Sequence, residues 1–151
     1  MTEHLGSLNT AASVRRWQVD DVTFTYVVDG GMAMRPDAFL PDVPADYWRA
    51  HPEEVDAAGH IAMSTGGLLV QRDGHTLLVD TGFGAVQMES PFGRVDCGAF
   101  LDTLASLGVA PDDVDVVALT HLHPDHTGWM FTADAGEPVF PRATYVLAEA
   151  E

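Results

Sequence analysis

The chain has 151 residues, a length suited to one domain, and 46% of them are hydrophobic, enough for a packed core. Its formal net charge is -16, from 23 acidic residues against 7 basic ones, and every basic residue is an arginine. That balance argues against nucleic-acid backbone or an anionic membrane as partner, since both need a positive footprint. The single cysteine, Cys97, allows no intrachain disulfide, and with no base beside it in sequence it reads as an inert small residue. Met1 to Thr10 carries Glu3 and His4 and no apolar core segment, so no secretory signal is visible. No run reaches the roughly 18 apolar residues of a membrane helix. A cytoplasmic location is the expectation.

In chain order, residues 1–17 are polar and small up to Arg15-Arg16-Trp17, and read as a loose or edge-pairing start. Val22 to Val28 alternates, which predicts a half-buried strand with Val22, Phe24, Tyr26 and Val28 on the buried face. Asp29-Gly30-Gly31 is predicted to end it. Residues 32–59 are the least regular part, with Pro36, Pro41, Pro44 and Pro52 spaced among Phe39, Tyr47 and Trp48. A short helix is expected at Ala45 to Ala50 and a helical turn at Pro52-Glu53-Glu54. This proline-stiffened, aromatic excursion reads either as a lid or substrate wall, or as a surface loop whose aromatics fill a satellite core. His51 and His60, in or beside it, read as surface or internally satisfied histidines rather than ligands.

Leu68 to Gln71 and Thr76 to Val79 read as the arms of a hairpin turned by Asp73-Gly74. The second arm runs into Asp80-Thr81-Gly82-Phe83-Gly84. A carboxylate at that strand end can fix the tautomer of a ligand histidine, or simply cap the turn. Phe100 to Leu107 has helical spacing, with Asp96 as expected N-cap and Gly108 as the residue past the end. Pro111-Asp112-Asp113 turns into a strand over Val114 to Leu119.

That strand delivers Thr120-His121-Leu122-His123-Pro124-Asp125-His126-Thr127-Gly128. In extended chain, His121 and His123 share a side while Leu122 points into the protein. Pro124 turns the chain, and Asp125 and His126 approach from another direction. Imidazole and carboxylate suit zinc and other borderline divalent ions. Four such groups within six residues exceed what one ion needs, which suggests two ions side by side. A polar surface loop without metal is the plainer reading. Three imidazoles that repel when protonated weaken it. Beyond the motif, Trp129, Met130 and Phe131 either line a pocket or pack in the core, Thr127-Gly128 is expected to open a short helix, and Pro141 to Leu147 reads as a last strand.

His121-Leu122-His123-Pro124-Asp125-His126, with the apolar strand before it and Gly128 after it, resembles the His-x-His-x-Asp-His signature of the metallo-β-lactamase-fold hydrolases. Asp80-Thr81-Gly82 resembles the Asp-Thr-Gly element that follows the family's hairpin. The resemblance implies an α/β (α+β) fold: half of an αββα sandwich, one mixed β-sheet with helices on one face. It implies that His121 and His123 hold a first metal and Asp125 and His126 a second, with Asp125 also orienting the attacking hydroxide and Asp80 supporting from behind. Zinc is the expected metal, two per complete site, with iron or manganese compatible. The implied reaction is hydrolysis of an ester, lactone, amide or phosphoester in a small-molecule substrate. Histidine at 123 speaks for hydrolysis over the family's diiron, oxygen-reducing branch, and Pro124 and Trp129 look most like the lactonase and organophosphate-hydrolase-like groups. A nuclease of this fold is disfavoured by the charge.

The family's complete site also takes a histidine, a bridging aspartate and another histidine from a second half. No histidine follows His126 here, and Asp134 lies too near the motif to match the bridging aspartate. The chain therefore reads as a single domain, 1–151, incomplete at its carboxyl end. It is a piece of a longer protein, a chain completed by a partner, or a naturally incomplete relative, and the first is favoured. The alternative to an enzyme is a non-catalytic metal-binding or interaction fragment. In isolation the chain is expected to bind metal weakly and to catalyse poorly.

Overall fold

The computed structural model describes residues 11–149. The polar start read over residues 1–10 lies outside them. The elements are β1 (Arg15–Val19), β2 (Val22–Met34), α1 (Pro36–Phe39), α2 (Ala45–Ala50), a 3-10 turn at Pro52–Glu54, β3 (Ile61–Arg72), β4 (His75–Val79), β5 (Gln87–Ser90) and β6 (Gly93–Cys97). There follow α3 (Phe100–Ser106), a 3-10 turn at Pro111–Asp113, β7 (Val116–Ala118), α4 (Pro124–Thr127) and β8 (Thr144–Val146). The strands form one sheet in the order β5-β6-β2-β3-β4-β7-β8, with β1 also paired to β2. β4–β7 and β7–β8 are parallel and the other pairs antiparallel, so the sheet is mixed. Among the described residues no helix is long and apolar enough to cross a membrane.

Local chemistry sets several of these elements. Asp73 and Gly74 sit at φ 48° and 80°, the two positive values of a type I′ turn, whose twist matches the strands it joins. At the end of α3, Gly108 takes φ 75°, its N–H donates to the Ala105 carbonyl, and the Val109 N–H reaches back to Leu104. This is a Schellman closure, and it uses the glycine expected there. β7 is shorter than the apolar run, because Val114 and Leu119 are buried beside the ladder rather than in it.

Four expectations need correction. β2 does not stop at Asp29-Gly30-Gly31 but runs on to Met34, so the irregular excursion begins at Arg35. The glycines let another strand approach: a Cβ at Gly30 would run into the Asp96 carbonyl of β6. The β2–β3 register slips between Val28 and Gly30, leaving Asp29 as the extra residue of a bulge. The buried face of β2 is also the other one. Thr25, Val27 and Asp29 are buried, while Phe24, Tyr26 and Val28 are only half-buried. Asp96 lies in β6 and does not cap α3, whose N-cap position is Ala99. Finally, the short helix at the motif is Pro124–Thr127, so Thr127-Gly128 closes it rather than opening it.

The core lies under α3. Phe100 and Leu104 of that helix pack on Val27, Leu69, Leu78 and Val117, one residue from each of four neighbouring strands, with Phe140 closing the side. Strand register puts Leu69, Leu78 and Val117 in one cross-strand row. The opposite sheet face carries Phe24, Val70, Leu77 and Val116 in one row and Tyr26, Leu68, Val79 and Ala118 in the next. These are half-buried, and Trp17, stacked on Phe24 at 5.7 Å, is 46% exposed. Phe100 is 0% exposed. Phe100→Ala is expected to cost about 3–5 kcal/mol through lost burial and the cavity left, read as a lower denaturation midpoint.

Candidate active site

Asp80 is placed at the end of β4, where its N–H donates to the Ala118 carbonyl of β7 at 2.9 Å. It takes φ 61°, a left-handed conformation that costs a non-glycine residue about 1–2 kcal/mol. The residue is 8% exposed, and its carboxylate gathers the residues beyond β7. Its Oδ1 accepts from the Thr120 N–H at 2.8 Å, and the Thr120 hydroxyl donates to the same carboxylate at 2.8–3.0 Å. His126 Nδ1 lies 2.8 Å from Asp80 Oδ2. Because an ionised carboxylate only accepts, His126 carries its proton on Nδ1. The Thr120 hydroxyl, having given its proton to Asp80, accepts from His121 Nδ1 at 3.0 Å. Both tautomers follow from this network, and both leave Nε2 as a lone-pair donor.

The histidine loop is irregular from Thr120 to His123 and then turns into α4. The His121 ring centroid lies 4.5 Å from that of His123 and 4.0 Å from that of His126. Asp125 Oδ2 is 3.3 Å from His126 Nε2. The four residues His121, His123, Asp125 and His126 thus share one site, through neighbouring rings rather than ligand atoms already drawn to a point. Among the described residues, the one trio whose ligand atoms all lie within 4.8 Å of one another is His51, Glu53 and Glu54 in the excursion. There His51 Nδ1 lies 3.2 Å from Glu53 and the Tyr47 hydroxyl donates to Glu54 at 3.0 Å, so these groups are partnered locally. At the histidine loop, three imidazoles, one carboxylate and two assigned Nε2 lone pairs form a donor set that fits a divalent ion. Leu122 departs from expectation: it is 48% exposed, because it lies beyond the end of β7, where the sheet's alternation of faces no longer governs the chain.

The loop is tied down on both sides. Thr81 donates to the His126 carbonyl through its N–H at 2.7 Å and its hydroxyl at 3.0 Å. The Gly128 N–H donates to Gly82 at 2.8 Å. Behind both turns sits Asp29, fully buried, which accepts hydrogen bonds from the 80–84 turn, the α3 amino end and the Trp129 indole. Sequence reading missed Asp29 and the bridging role of Thr120. The available signal for Asp29 was an acidic residue ending an apolar run just before a glycine pair. Trp129 and Met130 pack against the core, while Phe131 is 51% exposed and stacks on Tyr145 at 6.3 Å.

A cleft of about 220 Å³ opens beside the site, lined by Tyr26, Thr65, Leu68, Asp80, Asp125 and His126 among others. Burial raises the Tyr26 phenol above its usual value, and the charge of Asp29 adds to this, so it stays a neutral donor. Cys97 is buried with its sulfur 3.0 Å from the Thr65 hydroxyl. Burial is the main cause that raises its thiol, which keeps it protonated and unreactive.

Known proteins resemble this chain in sequence and fold. The sequence model of the metallo-β-lactamase superfamily matches residues 67–133, from the middle of β3 to beyond the histidine loop. A mouse protein, metallo-beta-lactamase domain-containing protein 1, is 48% identical over 52 residues, covering 34% of this chain and 16% of that protein. The crystal structure of the hydrolase AbOPH, in the beta lactamase superfamily, is 32% identical with a TM-score of 0.72, over 89% of this chain and 44% of that one. AidC, a dizinc quorum-quenching lactonase solved with the product N-hexnoyl-L-homoserine, is 25% identical with a TM-score of 0.74, over 87% of this chain and 43% of that one. The chain thus spans less than half the length of these solved relatives. Its mixed sheet, its α3 layer and the run from hairpin to histidine loop match the metallo-β-lactamase superfamily in sequence and fold.

Proposed function

We propose that this chain carries the histidine-bearing half of a metal-dependent hydrolase site acting on a small-molecule ester, lactone, amide or phosphoester. One observation carries the reading: a single buried carboxylate, Asp80, collects Thr120 and His126 and through Thr120 reaches His121, so that two imidazoles share one fixed tautomer. His121 and His123 would hold one ion, and Asp125 and His126 the other. Zinc suits these donors, with iron or manganese compatible. When bound, the metal lowers the pKa of water and polarises the substrate oxygen. The chain's own residues do the rest. Asp80 keeps the proton on His126 Nδ1, Asp125 orients the attacking water, and the Tyr26 cleft seats the substrate beside them. The likeness to a dizinc lactonase favours lactones within this range. The remaining ligands would come from the second half of the sandwich, which would cover the half-buried sheet face of Phe24, Tyr26, Leu68 and Val70.

Metal analysis after zinc dialysis, paired with a panel of lactones, aryl esters and phosphotriesters, tests this. Near two zinc equivalents and turnover are expected of the full-length protein, with weak binding and poor turnover from the 151-residue chain alone. A full-length protein that holds no metal would sink the proposal. The second reading is a metal-binding module without catalysis. Zinc binding without turnover in the full-length protein would select it.

A further inference from the structure

We infer that the buried carboxylate of Asp29 is a positioning residue for this site, holding the Asp80 turn and the segment after His126 in register with each other. The inference rests on the metal-site reading above. Asp29 is 0% exposed. Its Oδ2 accepts from the N–H groups of Phe83 at 2.7 Å and Gly84 at 3.1 Å. Its Oδ1 accepts from the N–H groups of Gly98 and Phe100, each at 3.1 Å, and from the Trp129 indole at 2.9 Å. A buried carboxylate is costly unless its oxygens are satisfied, and five donors satisfy this one.

The origin of those donors carries the argument. A cap for α3 would need only Gly98 and Phe100. Phe83 and Gly84 belong to the turn that begins at Asp80, and Trp129 follows His126 by three residues. The two turns already touch, through Thr81 to His126 and Gly128 to Gly82. Among the described residues, Asp29 is the one side chain of the sheet that accepts from both. The bulge in β2 puts it there: Asp29 is the unpaired residue, and its own carbonyl also accepts from Gly98 and Ala99. Asp29 therefore acts through Asp80 and His126 without touching substrate or metal.

The test is Asp29→Asn in the whole protein. The amide keeps the shape but turns one acceptor into a donor that faces N–H groups. Zinc affinity of the folded protein should fall about tenfold or more, the size seen when a support behind a metal ligand is lost. The imidazole nitrogen NMR signals of His126 should move in metal-free protein as well. Trp129→Phe removes a single donor and should shift both readouts in the same direction by less, and it carries the test if Asp29→Asn fails to fold. Leu104→Ala, a core truncation in α3, controls for lost stability and should leave both readouts unchanged. Wild-type zinc affinity and unmoved His126 signals in the Asp29 and Trp129 variants would overturn the inference. Moved His126 signals in a protein whose wild type binds no zinc would support the positioning role and count against the metal reading instead.

Discussion

Asp80→Asn is expected to weaken zinc binding by about one to two orders of magnitude while leaving the fold intact. The substitution is isosteric, and asparagine accepts the left-handed backbone at position 80 as readily as aspartate does. What changes is proton bookkeeping. Three donors converge on two oxygens: the Thr120 N–H, the Thr120 hydroxyl and His126 Nδ1. The amide offers one oxygen, and its NH2 group must face at least one of these donors. Opposite His126 it would force the other tautomer, with the proton on Nε2, where no lone pair remains for an ion. A chelator-competition titration measures the affinity and imidazole nitrogen shifts measure the tautomer. Binding within about twofold of wild type would refute the role given to Asp80.

Gly128→Ala should lose about 3 kcal/mol or more, or leave the chain unfolded, against the sign that helix propensity gives. Gly128 has φ -61° and ψ -31°, ordinary helical values in which alanine is worth nearly 1 kcal/mol more than glycine. Space decides instead. A Cβ there would overlap the carbonyl carbon and oxygen of Phe83 and the nitrogen of Gly84. Those are backbone atoms whose N–H groups are held by Asp29, so no side chain can swing aside. Overpacking usually costs about 1–3 kcal/mol, and more when the obstacle is backbone. A denaturation midpoint equal to wild type would show that the turns part more easily than their contacts imply.

The motif, the hairpin and the helix end were legible because each depends on neighbours in sequence. Asp73-Gly74 specifies its own turn, Gly108 its own helix closure, and His121 to His126 its own donor set. The orientation of β2 was not legible. Phe24, Tyr26 and Val28 form the more apolar face, but both faces of this sheet are apolar, and α3 covers the one holding Thr25, Val27 and Asp29. Asp29 itself was hidden for a related reason. A charge in a core is read as an error until its donors are known, and its donors are Phe83, Gly84, Gly98, Phe100 and Trp129, all distant in sequence. The β5–β6 hairpin escaped notice because Met88 and Phe92 are exposed at an edge and break any alternation. Leu122 was misplaced by carrying strand periodicity beyond the end of β7 at Ala118.

The parallel pairing of β4 with β7 also sets when the site can come into being. β1 to β4 follow one another in antiparallel order, but β7 reaches β4 only after a connection holding β5, β6 and α3 has closed. The entropy of that closure is lost before the parallel contacts return anything, which makes such pairings slow. Asp80 stands on one side of the closure and the histidine loop on the other. During refolding, metal competence therefore trails the antiparallel part of the sheet, and the moment at which zinc can first be captured marks the arrival of β7.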